Sequence, residues 1–372
     1  MKICSPQLGL NPKSNLGGEI HDHFVIHNLA KRGHKIFVYL PKGRNYQKNP
    51  NIIIKRAPIK HIPAFIFNLL IIPYLFKAYK EEKFDILRVH NPYFVGLGAI
   101  VFKFFYPNVP VIATYHLEEK SPIFTLINKL TINRYDKIIC VSNYLKNWLM
   151  NDYNVESKKI SVIYNGVDPN IRPAAKNGNF LKKYNLGGKF TILFMGLLIP
   201  RKNPLFLIKV FKQLKKNHRN VSLMICGSGP LKNQIREFIK KNMLTDVHLI
   251  DSIYGQEKKE IFNLCDVFAL PSLNEGFGLV VAEAMACAKP VVVADNSSLV
   301  ELVTDGKEGY TLNYNINAWV NKFTSLIKNK DLRLSIGLSA SSKVKKQFNW
   351  QISTQMYESV LLSLKDENPP QN

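Results

Sequence analysis

Two successive α/β halves, each a parallel sheet wrapped by helices, are the fold that this sequence predicts. Three observations carry the prediction. Short apolar runs of strand length alternate with longer stretches whose apolar residues recur at helical spacing, the pattern of parallel sheets. That alternation is interrupted once, where Asn165-Gly166, Asp168-Pro169, Arg172-Pro173, Asn177-Gly178 and Gly187-Gly188 crowd together. It restarts at Phe190-Thr191-Ile192-Leu193-Phe194-Met195-Gly196.

In the first half the strand-like runs are residues 2–6, 35–40, 52–56, 86–89, 111–114, 137–141 and 160–163. Runs that are apolar on both faces suit parallel strands buried between helices. Between the first two, residues 19–31 place Phe24, Ile26, Leu29 and Ala30 at helical spacing, and Gly33 supplies the expected stop just past the helix end. In the second half, strands are expected at 190–196, 221–226, 247–250, 267–270 and 290–293, with helices such as 204–216 and 231–241 between them. The expected domains are 1–168, a linker at 169–189, and 190–349, with a terminal helix near 350–365 packing back on the first domain. The 372 residues allow each Rossmann-like domain its own core. Two such domains are expected to face each other across a cleft, a preferred place for ligands.

Composition narrows the function classes. Hydrophobic residues make up 46% of the chain, with 22 Phe and 16 Tyr, which excludes a disordered polymer. Cys4, Cys140, Cys226, Cys265 and Cys287 are scattered through apolar runs and form neither a disulfide framework nor a zinc spacing. They read as small core residues in a reducing, cytoplasmic compartment, and Met1-Lys2-Ile3-Cys4 enters the first strand without a signal peptide. The longest uncharged apolar run, residues 62–76, is broken by Pro63 and Pro73 and is too short to span a bilayer. The net charge of +24 admits nucleic acid, an anionic membrane surface or a phosphorylated substrate as partner. A Lys-, Asn- and Ile-rich composition spread over solvated faces explains the same charge. Residues 61–83, apolar with basic neighbours, read either as a buried helix of the domain or as a helix lying on an anionic membrane.

The most informative segment is Leu270-Pro271-Ser272-Leu273-Asn274-Glu275-Gly276-Phe277-Gly278-Leu279-Val280-Val281-Ala282-Glu283-Ala284-Met285-Ala286. A buried strand runs into a glycine-containing loop and then into a helix that begins near Leu279. The N–H groups of Gly278, Leu279 and Val280 are placed to receive an anion at the helix N-terminus. Gly276 and Gly278 allow close approach of backbone to ligand. Glu275 and Glu283 flank this anion site. Carboxylates beside a phosphate belong there if they accept hydrogen bonds from hydroxyls, as sugars and riboses provide.

In this segment the chain resembles the retaining glycosyltransferases of family 4 (glycosyl transferases group 1), which have the GT-B fold. The resemblance implies that Glu275 contacts the transferred sugar and Glu283 the nucleotide ribose. Asn15-Leu16-Gly17-Gly18-Glu19 is similar to the family's glycine loop, which implies that Gly17 and Gly18 approach the donor diphosphate; an ordinary strand–helix turn reads the same way. Ala113-Thr114-Tyr115-His116 is similar to the family's acceptor-domain histidine, at the strand end where open α/β sheets bind ligands. His116 then bonds a donor hydroxyl or orients the acceptor, or is a structural histidine. His34, after the first helix, has no chemical role. Residues 162–168 resemble the family's segment at the domain junction. Lys202 matches the family's phosphate-binding lysine, whereas Leu197 stands where the family usually has arginine, and Arg201 is the candidate replacement. Gly227, in Cys226-Gly227-Ser228-Gly229-Pro230, occupies the family's loop near the nucleotide.

No Asp-x-Asp pair occurs, so no metal and no cofactor are expected beyond the nucleotide-sugar donor as co-substrate, and the resemblance implies retention of configuration. The implied acceptor is a glycan or a lipid-linked cell-envelope molecule, with peripheral contact with an anionic membrane as a second expectation. Two other readings compete. A nucleotide-sugar epimerase shares the architecture, but the segment from Glu275 to Glu283 argues against it. A basic nucleic-acid-binding protein would need clustered cations interleaved with aromatics, so no nucleic acid partner is expected.

Overall fold

A computed structural model describes residues 1–7, 9–11, 14, 16–41, 49–57 and 64–367. It divides into two compact units, Met1–Gly166 with Trp350–Asn372, and Val167–Asn349.

The first unit is built on a seven-stranded sheet, ordered β3-β2-β1-β4-β5-β6-β7. The strands are β1 (Lys2–Pro6), β2 (Lys35–Pro41), β3 (Ile52–Ala57), β4 (Ile86–Val89), β5 (Val111–Tyr115), β6 (Lys137–Cys140) and β7 (Ile160–Val162). All pairings are parallel; Ile3, for example, pairs with Ile36 of β2 on one side and Ile86 of β4 on the other. The helix Gly17–Lys31 starts two residues earlier than expected and ends at Gly33, whose φ of +91° suits the helix stop. Its His21, Asp22, His23, Val25, Ile26, His27, Leu29 and Ala30 are all buried, so polar side chains as well as apolar ones face inward. The terminal helix Trp350–Glu367 belongs to this unit, with Tyr357, Leu361 and Leu364 in the same core as Ile3, Val25 and Leu29. His34 is tied to that helix through Glu358, 2.6 Å away.

The second unit has a six-stranded parallel sheet, ordered β10-β9-β8-β11-β12-β13. Its strands are β8 (Phe190–Met195), β9 (Val221–Cys226), β10 (Val247–Ile250), β11 (Val267–Leu270), β12 (Val291–Ala294) and β13 (Gly309–Leu312). The strand Gly309–Leu312 was not among those expected. It is short, opens on glycine and has only two buried residues, so it lacks the apolar run that marked the others. Only glycine fits at 309, where a Cβ would lie 2.2 Å from the Val291 carbonyl oxygen.

The segment expected to act as a linker, 169–189, instead belongs to the second unit. Asn263 fastens it there: its Oδ1 accepts from the Ala174 N–H at 2.8 Å and its Nδ2 donates to the Arg172 carbonyl at 3.2 Å. A short helix, Gly178–Lys183, follows. Proline and glycine marked an irregular path correctly, but an irregular path can still be anchored.

Each sheet has a topological switch point, where strand order reverses and the loops after adjacent strands diverge. In the first unit it lies between β1 and β4, and in the second between β8 and β11. All five cysteines are buried and free. Among the described residues no helix is long and apolar enough to cross a membrane.

Candidate functional site

In the second unit, the loops after β8 and β11 bring Lys202 and Glu275 together. After Gly196 the chain passes half-buried Leu197 and fully buried Leu198 into a 3-10 turn, Pro200–Lys202. The path depends on two glycines of the loop after β9. A Cβ on Gly227 would lie 1.8 Å from the Gly196 carbonyl oxygen, and one on Gly229 would lie 2.5 Å from that of Leu198. Gly227 is thus required to let the two loops touch, whatever else it does.

Glu275 is held through its backbone: its N–H donates to Ser297 Oγ at 3.0 Å, and Ser298 Oγ donates to its carbonyl at 2.9 Å. The residue is 5% exposed, and its carboxylate forms an ion pair with Lys202, while Arg201 Nη1 lies 3.6 Å from the other oxygen. Burial alone would push the Glu275 carboxyl up, but Lys202 and Arg201 outweigh it and hold it below its usual value. Burial also pulls the Lys202 ammonium below its usual value, against the attraction of Glu275. Arg201 donates to the Asn274 carbonyl at 2.7 Å, so it is part of the loop's framework and does not simply extend into solvent.

Gly276, Phe277 and Gly278 are buried. Phe277 packs edge-on against Phe348, with ring centroids 5.4 Å apart, which leaves its backbone as the part a ligand can reach. Gly278 is left-handed, with φ of +88°, and a Cβ there would lie 3.0 Å from Leu299 Cδ2. From it starts the helix Leu279–Ala286, whose first intrahelical bond runs from the Val281 N–H to the Gly278 carbonyl at 2.9 Å. The N–H groups of Leu279 and Val280 precede that bond and are oriented for an anion. Glu283, on the same helix, is 3% exposed. Its Oε1 is 2.6 Å from Lys258 Nζ, while its Oε2 is buried without a partner. Burial raises its pKa despite Lys258.

In the first unit, residue 15 of the expected glycine loop lies outside the described residues. Gly17 is exposed, and nothing would meet a Cβ there within 4 Å. Glu19 secures the loop by accepting from the Asn11 N–H at 3.0 Å and from Ser14 Oγ at 2.6 Å. A Cβ on Gly18 would come 3.4 Å from His90 Nε2 and 3.8 Å from His116 Cδ2.

His116, just past β5, stands in a cluster of three imidazoles, its ring 4.5 Å from that of His21 and 4.4 Å from that of His90. Beneath them Arg88 and Asp22 form a fully buried ion pair at 2.5 Å. Arg88 is further held by the Tyr357 hydroxyl at 2.9 Å and Ser5 Oγ at 3.1 Å. Despite burial, Arg88 and His90 hold the Asp22 carboxyl far below the carboxylate range. Burial drives His21 down to about 3 and His116 well below the ordinary histidine value, so both rings are neutral.

Sequence reasoning singled out His116 and missed Asp22, Arg88, His90, Lys258 and Ser297. The first three had a signal. Arg88 interrupts an apolar strand, Asp22 lies on the buried side of a helix, and His90 follows a parallel strand just as His116 does. Lys258 and Ser297 had none, because long-range contacts alone select them.

Comparison with known proteins identifies what the chain is similar to. A model of the glycosyl transferases group 1 matches residues 177–342, and one of glycosyltransferase family 4 matches residues 17–171. An uncharacterized glycosyltransferase of Methanocaldococcus jannaschii is 31% identical over 342 residues, covering 88% of this chain and 90% of that one. The UDP-Gal:alpha-D-GlcNAc-diphosphoundecaprenol alpha-1,3-galactosyltransferase of Escherichia coli is 28% identical over 345 residues, covering 88% and 86%. Among solved structures, Anabaena HepE in complex with UDP and glucose superposes with a TM-score of 0.80 at 18% identity, covering 98% of this chain and 100% of that one.

Proposed function

Because this chain belongs to the group 1, family 4 glycosyltransferases of GT-B fold, we propose that it moves a hexose-type sugar from a nucleotide-diphosphate donor to a glycan or lipid-linked cell-envelope acceptor. The transfer proceeds with retention and without a metal ion. The observation that carries this reading is Glu275, ionised and fixed between Lys202 and Arg201 beside the glycine-led start of a helix. In it, the second unit takes the donor. Glu275 accepts hydrogen bonds from hydroxyls of the transferred sugar, and Glu283, with its unpartnered oxygen, accepts from the ribose. The N–H groups of Leu279 and Val280 and the cations Lys202 and Arg201 take the diphosphate charge that grows as the bond from the anomeric carbon to phosphate oxygen breaks. In the first unit, His116 orients the acceptor.

The lipid-linked acceptor is supported by the substrate named for the Escherichia coli relative. Exposed side chains support peripheral contact with an anionic membrane on the cytoplasmic side. Phe104 is 82% and Phe105 62% exposed at the end of the helix Pro92–Phe105, and Ile123, Leu126 and Leu130 are exposed on Pro122–Thr131. Neither helix carries an acidic residue. Of residues 61–83, 61–63 lie outside the described residues and the rest form two helices, Ala64–Leu70 and Ile72–Glu82, in place of the one expected; Phe67, Ile71, Leu75 and Ala78 are buried, whereas Leu69 and Leu70 are exposed.

The test is thermal stabilisation by a panel of UDP-, GDP- and ADP-sugars, followed by transfer to undecaprenyl-diphosphate sugars with and without excess EDTA. Stabilisation by one donor class and EDTA-resistant transfer are expected. No response to any donor overturns the reading, and turnover that chelation stops and Mg²⁺ or Mn²⁺ restores overturns its metal-free part. Phe104→Ser with Phe105→Ser should release the protein from phosphatidylglycerol vesicles; undiminished binding removes the membrane contact.

A further inference from the structure

Apart from the imidazole cluster, the first unit contains a cavity of about 280 Å³. Two helices and one loop shape it. Lys129 comes from Pro122–Thr131, and Trp148, Asp152 and Tyr153 come from Asn143–Tyr153. Glu119 and Lys120, in the loop after β5, complete the wall. Leu145, Trp148 and Leu149 are the buried stripe of the second helix, and Asp152 stands one turn beyond Trp148 on the same side. Trp148 is thus 7% exposed and forms an aromatic floor with Tyr153, whose ring meets it edge-on at 5.4 Å. Among the described residues no hydrogen bond is made by the Trp148 indole N–H or by the Asp152 carboxylate. A carboxylate in the last turn of a helix stands at the negative end of the helix dipole, so the fold gains nothing from Asp152 there. Lys120 already pairs with Glu118 at 2.7 Å. An anionic ligand would therefore meet Glu119 and Asp152 with Lys129 to offset them, and a cationic one would meet Lys129 and Lys120. A neutral ring bearing hydroxyls suits this wall, because each hydroxyl donates to a carboxylate and accepts from an ammonium or an indole N–H. Its C–H face suits the aromatic floor. The volume is at the lower end of small-molecule sites and holds about one pyranose ring.

We propose that this cavity is a subsite for a neutral sugar ring of the acceptor glycan, beyond the sugar that receives the transferred hexose, with Trp148 and Asp152 as its specificity-determining residues. The proposal rests on the transferase reading above. Glu119 lies three residues past His116, so the chain places it within about 11 Å of the histidine read as orienting the acceptor. A short run of linked sugars covers that span. The subsite takes no part in bond making or breaking; it selects acceptors by length, since a glycan of a single sugar leaves it empty.

Two measurements on the full chain test it. Saturation-transfer NMR with the methyl glycosides of glucose, galactose, mannose and N-acetylglucosamine reads binding without turnover. At least one glycoside should receive saturation at its ring C–H protons, and Trp148→Leu should abolish the signal. Asp152→Ala should weaken that binding at least about tenfold, the scale of a hydrogen bond to a charged group. Because it removes an unfavourable helix charge, Asp152→Ala should melt no lower than wild type, so it serves even where Trp148→Leu does not fold. Glu275→Gln, in the second unit, should keep the signal. No saturation of any glycoside, equal binding by wild type and Asp152→Ala, or a signal lost in Glu275→Gln overturns the proposal. Transfer kinetics then assign the ring to the acceptor. With a disaccharide-diphosphoundecaprenol acceptor, Asp152→Ala should raise KM at least about tenfold and leave kcat within about threefold, as loss of uniform binding does. With a monosaccharide-diphosphoundecaprenol acceptor, KM should not change. Equal effects on both acceptors, or an effect on neither, overturn this proposal alone. Absence of transfer by the wild type overturns the transferase reading, and this proposal with it, even where glycoside binding is intact.

Discussion

Lys202 holds the carboxylate of Glu275 in a buried ion pair, and Arg201 stands 3.6 Å from the oxygen that Lys202 leaves open. The pair joins two loops that leave the sheet on opposite sides of its switch point. Removing one member therefore does two things: it takes away a proposed donor contact and it strands a buried charge, which typically costs about 3–5 kcal/mol. Tests at this site have to separate the two.

Glu275→Gln preserves shape and removes the charge, and Glu275→Ala removes both. Each should lower turnover by about a hundredfold or more, since an interaction that stabilises developing charge is lost. Donor affinity should fall less than kcat. Steady-state kinetics with a direct binding measurement check this, and turnover within about threefold of wild type, under 1 kcal/mol, would remove Glu275 from the reaction.

Lys202→Ala should cost more kcat/KM than Arg201→Ala, because Lys202 makes the closer contact and Arg201 is partly spent on the Asn274 carbonyl. If both face one phosphate, the double mutant departs from the sum of the singles by about 0.5–3 kcal/mol. A double-mutant cycle measures the coupling, and strict additivity with a silent Arg201→Ala would assign Arg201 to loop structure alone.

Leu197 is half-buried while its neighbour Leu198 is fully buried, so position 197 has room to turn outward. Leu197→Arg should tighten donor binding and leave the melting temperature within a few degrees, as a surface-compatible change does. A stability loss of several kcal/mol would show instead that the cation is forced into the core.

Acid should destabilise the first unit through His21. Its folded pKa, about 3, lies below the ordinary histidine value of about 6.5 because burial disfavours the charged ring. The unfolded chain thus takes up the proton first, so stability is intact above the unfolded pKa and falls as pH drops from there toward the folded value. At about pH 5 the loss from this one group is about 2 kcal/mol. Urea unfolding at neutral and acid pH measures it, and His21→Asn should flatten the pH slope. An unchanged slope would mean that the ring is not held neutral.

The sequence by itself determined the strands and the order of the loops. Most of the parallel strands are short, mainly apolar runs, so twelve of them could be located by their pattern, while Gly309–Leu312, glycine-led and only partly buried, could not. The carboxylates and glycines of residues 275–283 were legible because a strand, a turn and a helix N-terminus are local features. The partners of those groups were decided only by the tertiary structure. Lys258 reaches Glu283 across 25 residues, and Arg88 reaches Asp22 across 66. Which of His90 and His116 the Asp22 carboxylate touches is decided in the same way. That contact exists only because parallel strands bring the ends of β1, β4 and β5 side by side, and no spacing along the chain records it.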